Sequence, residues 1–498
     1  MEEWKRPKFS IVLSVVAASA VTLGILVRIV QWLYNRNLWL DEIGLAQTLL
    51  ARGYAGLFQP LGDMQSAPPA FLVVSKGLTH AMGAGEQVLR AVPLLAGISS
   101  LFLFYALARR WLPRDRALGA LVVFALLPPL IYYSTEFKPY SSDVSVTLGL
   151  YLVALHYDRR NATLAAALSF GAIGATALWL SFPSVFVLAG IGATLWTSAV
   201  WRRDRRRAVL LLISFALWAG SFIVYYLLIL GTASHDHELV EFWRSAFMPL
   251  PAGLDTLKWL YRNVPPMFAS PGGFDRSGLA GWLSLLGCAA LLFKDRKKFA
   301  FLVLPFCFVL IASAFEKYPF RERLLLFLVP SMLLLIVEGI AAIQERTGRY
   351  GAIVAVCVLG VIGYEPVRLA ASHVRHPVWR EETKPVLAYI RSHWQRGDRM
   401  YVYYGGRRSF WYYGPAFGFG SEDAVIGSES RKDFELYGRE VDRFKGEQRV
   451  WIYFAHILPR EEAFIVSHLN AIGVQRQFYE APDAKAYLYD CRSSPGKN

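Results

Sequence analysis

The chain has 498 residues, 55% of them hydrophobic, and a formal net charge of +15. So apolar a composition excludes an ordinary soluble protein of this length: the apolar residues gather in blocks of about 17–25, enough to cross roughly 30 Å of hydrocarbon as helices. The basic residues sit in short clusters between those blocks, so the charge reports membrane orientation rather than a nucleic-acid partner.

The N-terminus is basic at Lys5, Arg6 and Lys8. The apolar run that follows continues to Val30, longer than a signal-peptide core, and reads as an uncleaved first helix over 10–33 with its start in the cytoplasm. Basic clusters then recur at Arg109–Arg116, Arg159–Arg160, Arg202–Arg207, Lys294–Lys298 and Arg346–Arg349. The positive-inside rule places each of them in the cytoplasm. That topology closes only if the stretch Ala67–Met82, begun by Pro68 and Pro69, does not cross. It reads as an interfacial or re-entrant helix inside a long first outer loop, 34–86. The spans are then 10–33, 87–108, 117–133, 140–157, 162–180, 183–200, 208–230, 278–293, 299–315, 322–342 and 351–370. The expected fold is a polytopic α-helical membrane protein of about eleven unbroken spans without internal repeats, residues 1–374.

From 375 to 498 hydrophobic runs shorten and charges intersperse, as in a small α/β domain placed outside the cytoplasm. "REETKPVLAYIRSHWQ" and "PREEAFIVSHLNAIG" read as helices, and "DRMYVYYGG", "QRVWIYFAH" and "KAYLYD" as strands. The tyrosines and tryptophans of "YVYYGGRRSFWYYG" could stack on sugars, but Tyr401–Tyr404 fits a buried strand better. Cys288, Cys307 and Cys357 lie in apolar blocks and Cys491 stands alone near the end, so neither a disulfide framework nor a thiolate metal site is expected.

The outer loops carry the candidate site residues. "NRNLWLDEIG" puts Asp41 and Glu42 just after the first span, where a carboxylate can act as general base, ligate a metal or simply be solvated. Trp39 and Leu40 beside them read as an apolar anchor at the bilayer surface. In "YYSTEFKPYSSDV", Pro139 can open a helix, with Lys138 at its start and Tyr140 and Asp143 one turn apart on one face. A helix start beside a lysine suits a phosphate; the alternative is that Lys138 pairs with Glu136 or snorkels to the headgroups. Arg321 and Arg323 of "FEKYPFRERLLLFLVP" stand on the outer side against the positive-inside trend, and paired arginines hold phosphate well, although pairing with Glu316 or Glu322 would also explain them. His235, His237 and Glu238 are the candidates for a divalent metal, with a solvated polar loop as the plainer reading. Arg28, inside the first span, either supports a first-loop carboxylate or, more simply, snorkels to the headgroups.

These stretches carry a resemblance. Arg28 in the first helix, then "LWLDE", "APPAFLVVSKGL" and "EQVLRAVPLLAGISSLFLFYALARR", followed by "STEFKPYSSD" and "YPFRERLLLFLVP", resemble the GT-C superfamily of membrane glycosyltransferases. The branch it looks most like is that of the family 39-like enzymes, the protein O-mannosyltransferases and the lipid A aminoarabinose transferases. The match covers roughly residues 20–145, with the late arginine motif beyond; "DMQSAPPAF" departs from it in having no histidine beside its prolines. The resemblance implies a polyprenyl-phosphate sugar donor and an extracytoplasmic protein, lipid or glycan acceptor. It implies Asp41 as base, Glu42 orienting the acceptor or supporting a metal, and Lys138, Tyr140, Arg321 and Arg323 at the donor phosphate. Arg28, Glu136 and Asp143 would support them. The expected location is the inner (plasma) membrane. A transporter or flippase for a polyprenyl lipid, or a non-catalytic envelope partner, is the alternative.

Overall fold

The computed structural model describes residues 5–62, 65–231, 237–431 and 433–492. The chain forms two compact units. One joins Met1–Tyr34 to Arg52–Pro377, and the other joins Asn35–Ala51 to Val378–Asn498.

In chain order the long helices are α1 (Lys5–Leu33), α2 (Leu40–Ala51, which belongs to the second unit), α3 (Pro69–Met82), α4 (Ala91–Trp111), α5 (Arg114–Leu126), α6 (Pro128–Tyr133), α7 (Tyr140–Arg159), α8 (Leu164–Leu180), α9 (Ser184–Trp201), α10 (Arg205–Tyr225), α11 (Ser277–Lys294), α12 (Arg296–Ala314), α13 (Val329–Arg346) and α14 (Gly351–Arg375). Each expected span falls on a helix. Among the described residues eight helices are long and apolar enough to cross a membrane. The other three expected spans fall short for visible reasons: α7 is diluted by Ser141, Ser142, Asp143, Ser145 and His156, α8 has 17 residues, and the third span is split into α5 and α6. Helix α3 has 14 residues, about 21 Å of rise, too short for the hydrocarbon.

The split between α5 and α6 corrects the expectation of unbroken helices. Pro128 and Pro129 bring no N–H, so the helix cannot continue its ladder through them. The carbonyl that Pro129 would have served, that of Ala125, instead accepts from Arg28 Nη1 at 3.0 Å, and the same nitrogen donates to the Gly24 carbonyl at 2.9 Å. Arg28 is 0% exposed. It does not snorkel: its guanidinium is held inside the bundle by the Gly24 carbonyl of its own helix and by the Ala125 carbonyl that Pro129 leaves unpaired. Elsewhere the helices approach through small residues. A Cβ on Gly287 of α11 would lie 2.0 Å from the Leu335 carbonyl oxygen, and one on Gly339 of α13 would lie 2.0 Å from that of Leu283, so these two backbones touch.

The second unit adds α15 (Thr383–His393), β1 (Arg399–Val402), α16 (Arg407–Tyr413), β2 (Ala424–Ile426), α17 (Glu435–Val441), β3 (Val450–Ala455), α18 (Pro459–Ile472), β4 (Val474–Ala481) and β5 (Ala484–Asp490). The sheet order is β2-β1-β3-β5-β4. β1 runs parallel to β2 and β3, and β5 is antiparallel to β3 and β4. β3 is buried at every position, as a central strand of continuous apolar sequence should be. The two helices and three strands expected here are present; β2 and β4 are additional. β4, "VQRQFYEA", is half exposed and bulged between Gln475 and Gln477, and its polar residues hide it from a hydrophobic pattern. Tyr401 and Tyr403 are fully buried, so they are core. Their hydroxyls donate to buried carboxylates: Tyr403 to Glu461 at 2.5 Å, joined there by Tyr437 at 3.0 Å, and Tyr401 to Glu440 at 2.9 Å.

Candidate functional site

In the first unit a cationic and aromatic group forms where α7 begins. Pro139 caps α7 rather than opening it, and its carbonyl accepts from the Asp143 N–H at 2.9 Å. Lys138 is 5% exposed, and its ammonium donates to Gln65 Oε1 at 2.8 Å. Tyr140 packs edge-on against Tyr133, and the Arg323 guanidinium lies 6.0 Å from the Tyr140 ring centre, within cation–π reach. Lys138, Tyr140 and Arg323 are thus associated through the start of α7. Arg321 is directed elsewhere: it is exposed, donates to Ser245 Oγ at 3.0 Å and pairs with Glu322 at 3.5 Å. Two residues apart on a 3-10 turn, the two arginines face different neighbours. Glu136 and Asp143 are both buried. His235 lies outside the described residues, and His237 and Glu238 are placed only as helical backbone within His237–Phe242.

In the second unit the Asp41-Glu42 segment is held by the C-terminal chain, one backbone group after another. Arg36 Nη1 donates to the Val378 carbonyl at 2.7 Å, the Asn37 N–H to Glu382 Oε1 at 3.2 Å, the Leu38 N–H to Tyr413 Oη at 2.8 Å and the Leu40 N–H to Glu381 Oε2 at 3.1 Å. These partners take up N–H groups that the start of a helix cannot satisfy itself. Glu42 adds one more. It is 1% exposed, occupies the third position of α2, and accepts the Trp39 N–H at 3.4 Å, the back-reaching half of a capping box. Asp41 is partly exposed in the same first turn. Trp39 is not a bare surface anchor: its ring is mostly buried and lies 4.1 Å under the Arg380 guanidinium.

Next to this segment lies a group that sequence reading missed. Glu381, His456 and Asp483 each offer a donor atom, all within 4.8 Å of one another. Glu381 is 2% exposed, and its Oε1 meets His456 Nδ1 at 2.8 Å. Burial pushes the Glu381 carboxyl up, against the pull of His456. The Glu381 hydrogen bond raises the imidazole above its ordinary range, burial opposes this, and Asp483 and Asp41 add to the rise. The three residues border a cavity of about 360 Å³ that Trp39, Trp379, Arg380 and Pro482 also line. Glu381, His456 and Asp483 are separated by 75 and 27 residues, so no spacing could announce them.

No protein-family model matches this sequence, and no curated protein matches it. Solved structures do. The apo crystal structure of ArnT from Cupriavidus metallidurans aligns with a TM-score of 0.50 at 13% identity, over 95% of this chain and 98% of that one. The Archaeoglobus fulgidus oligosaccharyltransferase, in its complex with zinc and sulfate, aligns with a TM-score of 0.52 at 13% identity, over 96% of this chain and 73% of that one. The same archaeal enzyme tethered to an acceptor peptide gives 0.52 at 11% identity, over 96% and 74%. Over nearly its whole length, the chain shares the fold of these proteins.

Proposed function

We propose that the protein is an integral-membrane glycosyltransferase that moves a sugar from a polyprenyl-phosphate donor to an extracytoplasmic acceptor with inversion. The observation that carries this reading is a pair of clusters on a GT-C fold: Asp41 in the first turn of α2, held by five backbone and side-chain contacts around it, and Lys138, Tyr140 and Arg323 at the start of α7. The chemistry asks for both. Asp41 takes the proton of an acceptor hydroxyl as that oxygen attacks the anomeric carbon, and the bond from that carbon to the phosphate oxygen breaks. The departing lipid phosphate is already a stable anion, so it needs cations rather than a proton donor, and Lys138 and Arg323 supply them. Attack opposite the leaving group inverts the anomeric centre. One structural neighbour, the archaeal oligosaccharyltransferase, is known with an acceptor peptide, which supports an acceptor of macromolecular kind. The membrane is the plasma membrane, with the first helix entering from the cytoplasm.

The test is transfer by purified protein supplied with radiolabelled polyprenyl-phosphate sugars and a panel of protein, lipid and glycan acceptors. Asp41→Asn is expected to lose about 10²–10⁴ in rate. Arg323→Ala is expected to lose on the order of 10²–10³, while Arg321→Ala, an exposed residue facing Ser245, loses less than about tenfold. Full transfer by Asp41→Asn would remove Asp41 as the base, and equal losses at the two arginines would remove the assignment of Arg323.

A further inference from the structure

We propose that Glu381, His456 and Asp483 form a binding site for a divalent transition cation, zinc above all, built entirely within the second unit. The fold brings the three together by register. β3 and β5 pair so that Ala455 faces Ala484. One residue beyond that pair, on each strand, stand His456 and Asp483, which are thereby set opposite each other at the end of the ladder. Asp483 is the second central residue of the tight Pro482-Asp483 turn that joins β4 to β5, where Ala481 pairs with Ala484. Glu381 enters from the segment before α15, fixed there because the next residue, Glu382, donates its N–H to the Pro482 carbonyl at 2.9 Å.

The donor set fits the ion. One imidazole and two carboxylates suit zinc or manganese better than calcium or magnesium, which prefer all-oxygen shells. Zinc bonds of about 2.0–2.2 Å place tetrahedral donors about 3.4 Å apart. The present donor atoms lie within 4.8 Å of one another, and binding would draw them in to that spacing. Both outer donors stand in left-handed backbone, His456 at φ 52° and Asp483 at φ 51°, which sets the direction in which each side chain leaves the chain. The adjoining cavity leaves room for a fourth ligand, water or an acceptor oxygen. Glu381 would then do two things at once: one oxygen binds the cation and the other caps α2 at Leu40. The metal would fix the first turn of the helix that carries Asp41, a consequence that rests on the role proposed for Asp41, although the site itself does not.

The test uses the full-length protein without a histidine tag, stripped with EDTA, then given zinc or manganese and passed through size exclusion. Bound metal is measured by mass spectrometry. About one zinc per chain is expected to stay. His456→Ala and Asp483→Asn are each expected to weaken retention at least tenfold, about the loss that ligand-shell changes produce. Asparagine tolerates positive φ and can still accept the Ile457 N–H that Asp483 Oδ1 takes at 2.9 Å, so that variant keeps its turn. The double variant His235→Ala/His237→Ala should retain metal as the unaltered chain does. Manganese held in place of zinc, and lost in the same two variants, would support the same site. Retention that is negligible in the unaltered chain, undiminished in both site variants, or lost in the double variant would overturn the proposal. None of these readings depends on sugar transfer, so failure of the metal site and failure of the enzymatic reading are separate results.

Discussion

Asp41 and Glu42 are neighbours in the sequence with different environments. The sequence offered them as a pair; the structure gives Glu42 the third position of α2 and the Trp39 N–H, while Asp41 stays partly exposed in the same turn. An amide oxygen can accept that N–H as a carboxylate does. Glu42→Gln should therefore keep most of the helix start and most transfer, whereas Glu42→Ala should cost about 1 kcal/mol of local stability, the usual worth of a helix cap. Thermal unfolding and transfer assays run on both variants beside Asp41→Asn check this. A loss in Glu42→Gln as deep as that in Asp41→Asn would make Glu42 a participant in the chemistry rather than a cap. Arg28 teaches the same lesson from the other side. Its identity and place in the first span were plain, but its partner was the Ala125 carbonyl, and that need arises only because Pro129 cannot donate.

At the scale of elements, much was legible because periodicity and charge are local signals. Every expected span fell on a helix, and so did the short stretch expected not to cross, α3, since runs of apolar residues and clusters of arginine are written in the chain itself. What was illegible depended on contacts. β4 reads as polar sequence because it is an exposed edge, and the α5–α6 break hides in a run that is apolar on both sides of its prolines. The contact between α11 and α13 is another case. Gly287 and Gly339 look like any glycines in apolar helices, yet each lies where a Cβ would strike the opposing carbonyl. Gly287→Ala and Gly339→Ala should each force the helices apart and cost about 1–3 kcal/mol, as overpacking does. Gly360→Ala of α14, where a Cβ would meet nothing within 4 Å, should not. Unfolding midpoints in detergent, followed by tryptophan fluorescence, would separate the three; equal midpoints would mean that the crossing has slack.

At the scale of the whole molecule, the sequence shows a membrane part and a later mixed part, and its composition changes near residue 375. It does not show that Asn35–Ala51 folds with Val378–Asn498, because the residues that bind that segment lie more than 340 positions away. The Glu381, His456 and Asp483 group was missed for a similar reason: strand register and the segment before α15, not sequence spacing, bring the three together. The second unit is thus assembled from two pieces of chain, and four hydrogen bonds from Arg36, Asn37, Leu38 and Leu40 join them. A fragment beginning at Val378 would lack the donors for the Val378 carbonyl, for Glu381 Oε2 and Glu382 Oε1, and for Tyr413 Oη. At a net worth of about 1 kcal/mol each, the four bonds are a large share of the stability of a domain of this size. Fusing residues 35–51 to Val378–Asn498 through a flexible linker should therefore raise the unfolding midpoint by at least about 4 °C over the fragment alone. Carrying Glu381→Ala and Glu382→Ala in the fused form should return much of that gain. If the fragment alone melts as high as the fusion, the helix that bears Asp41 is only a passenger on the second unit, and the contacts at its start do not position it.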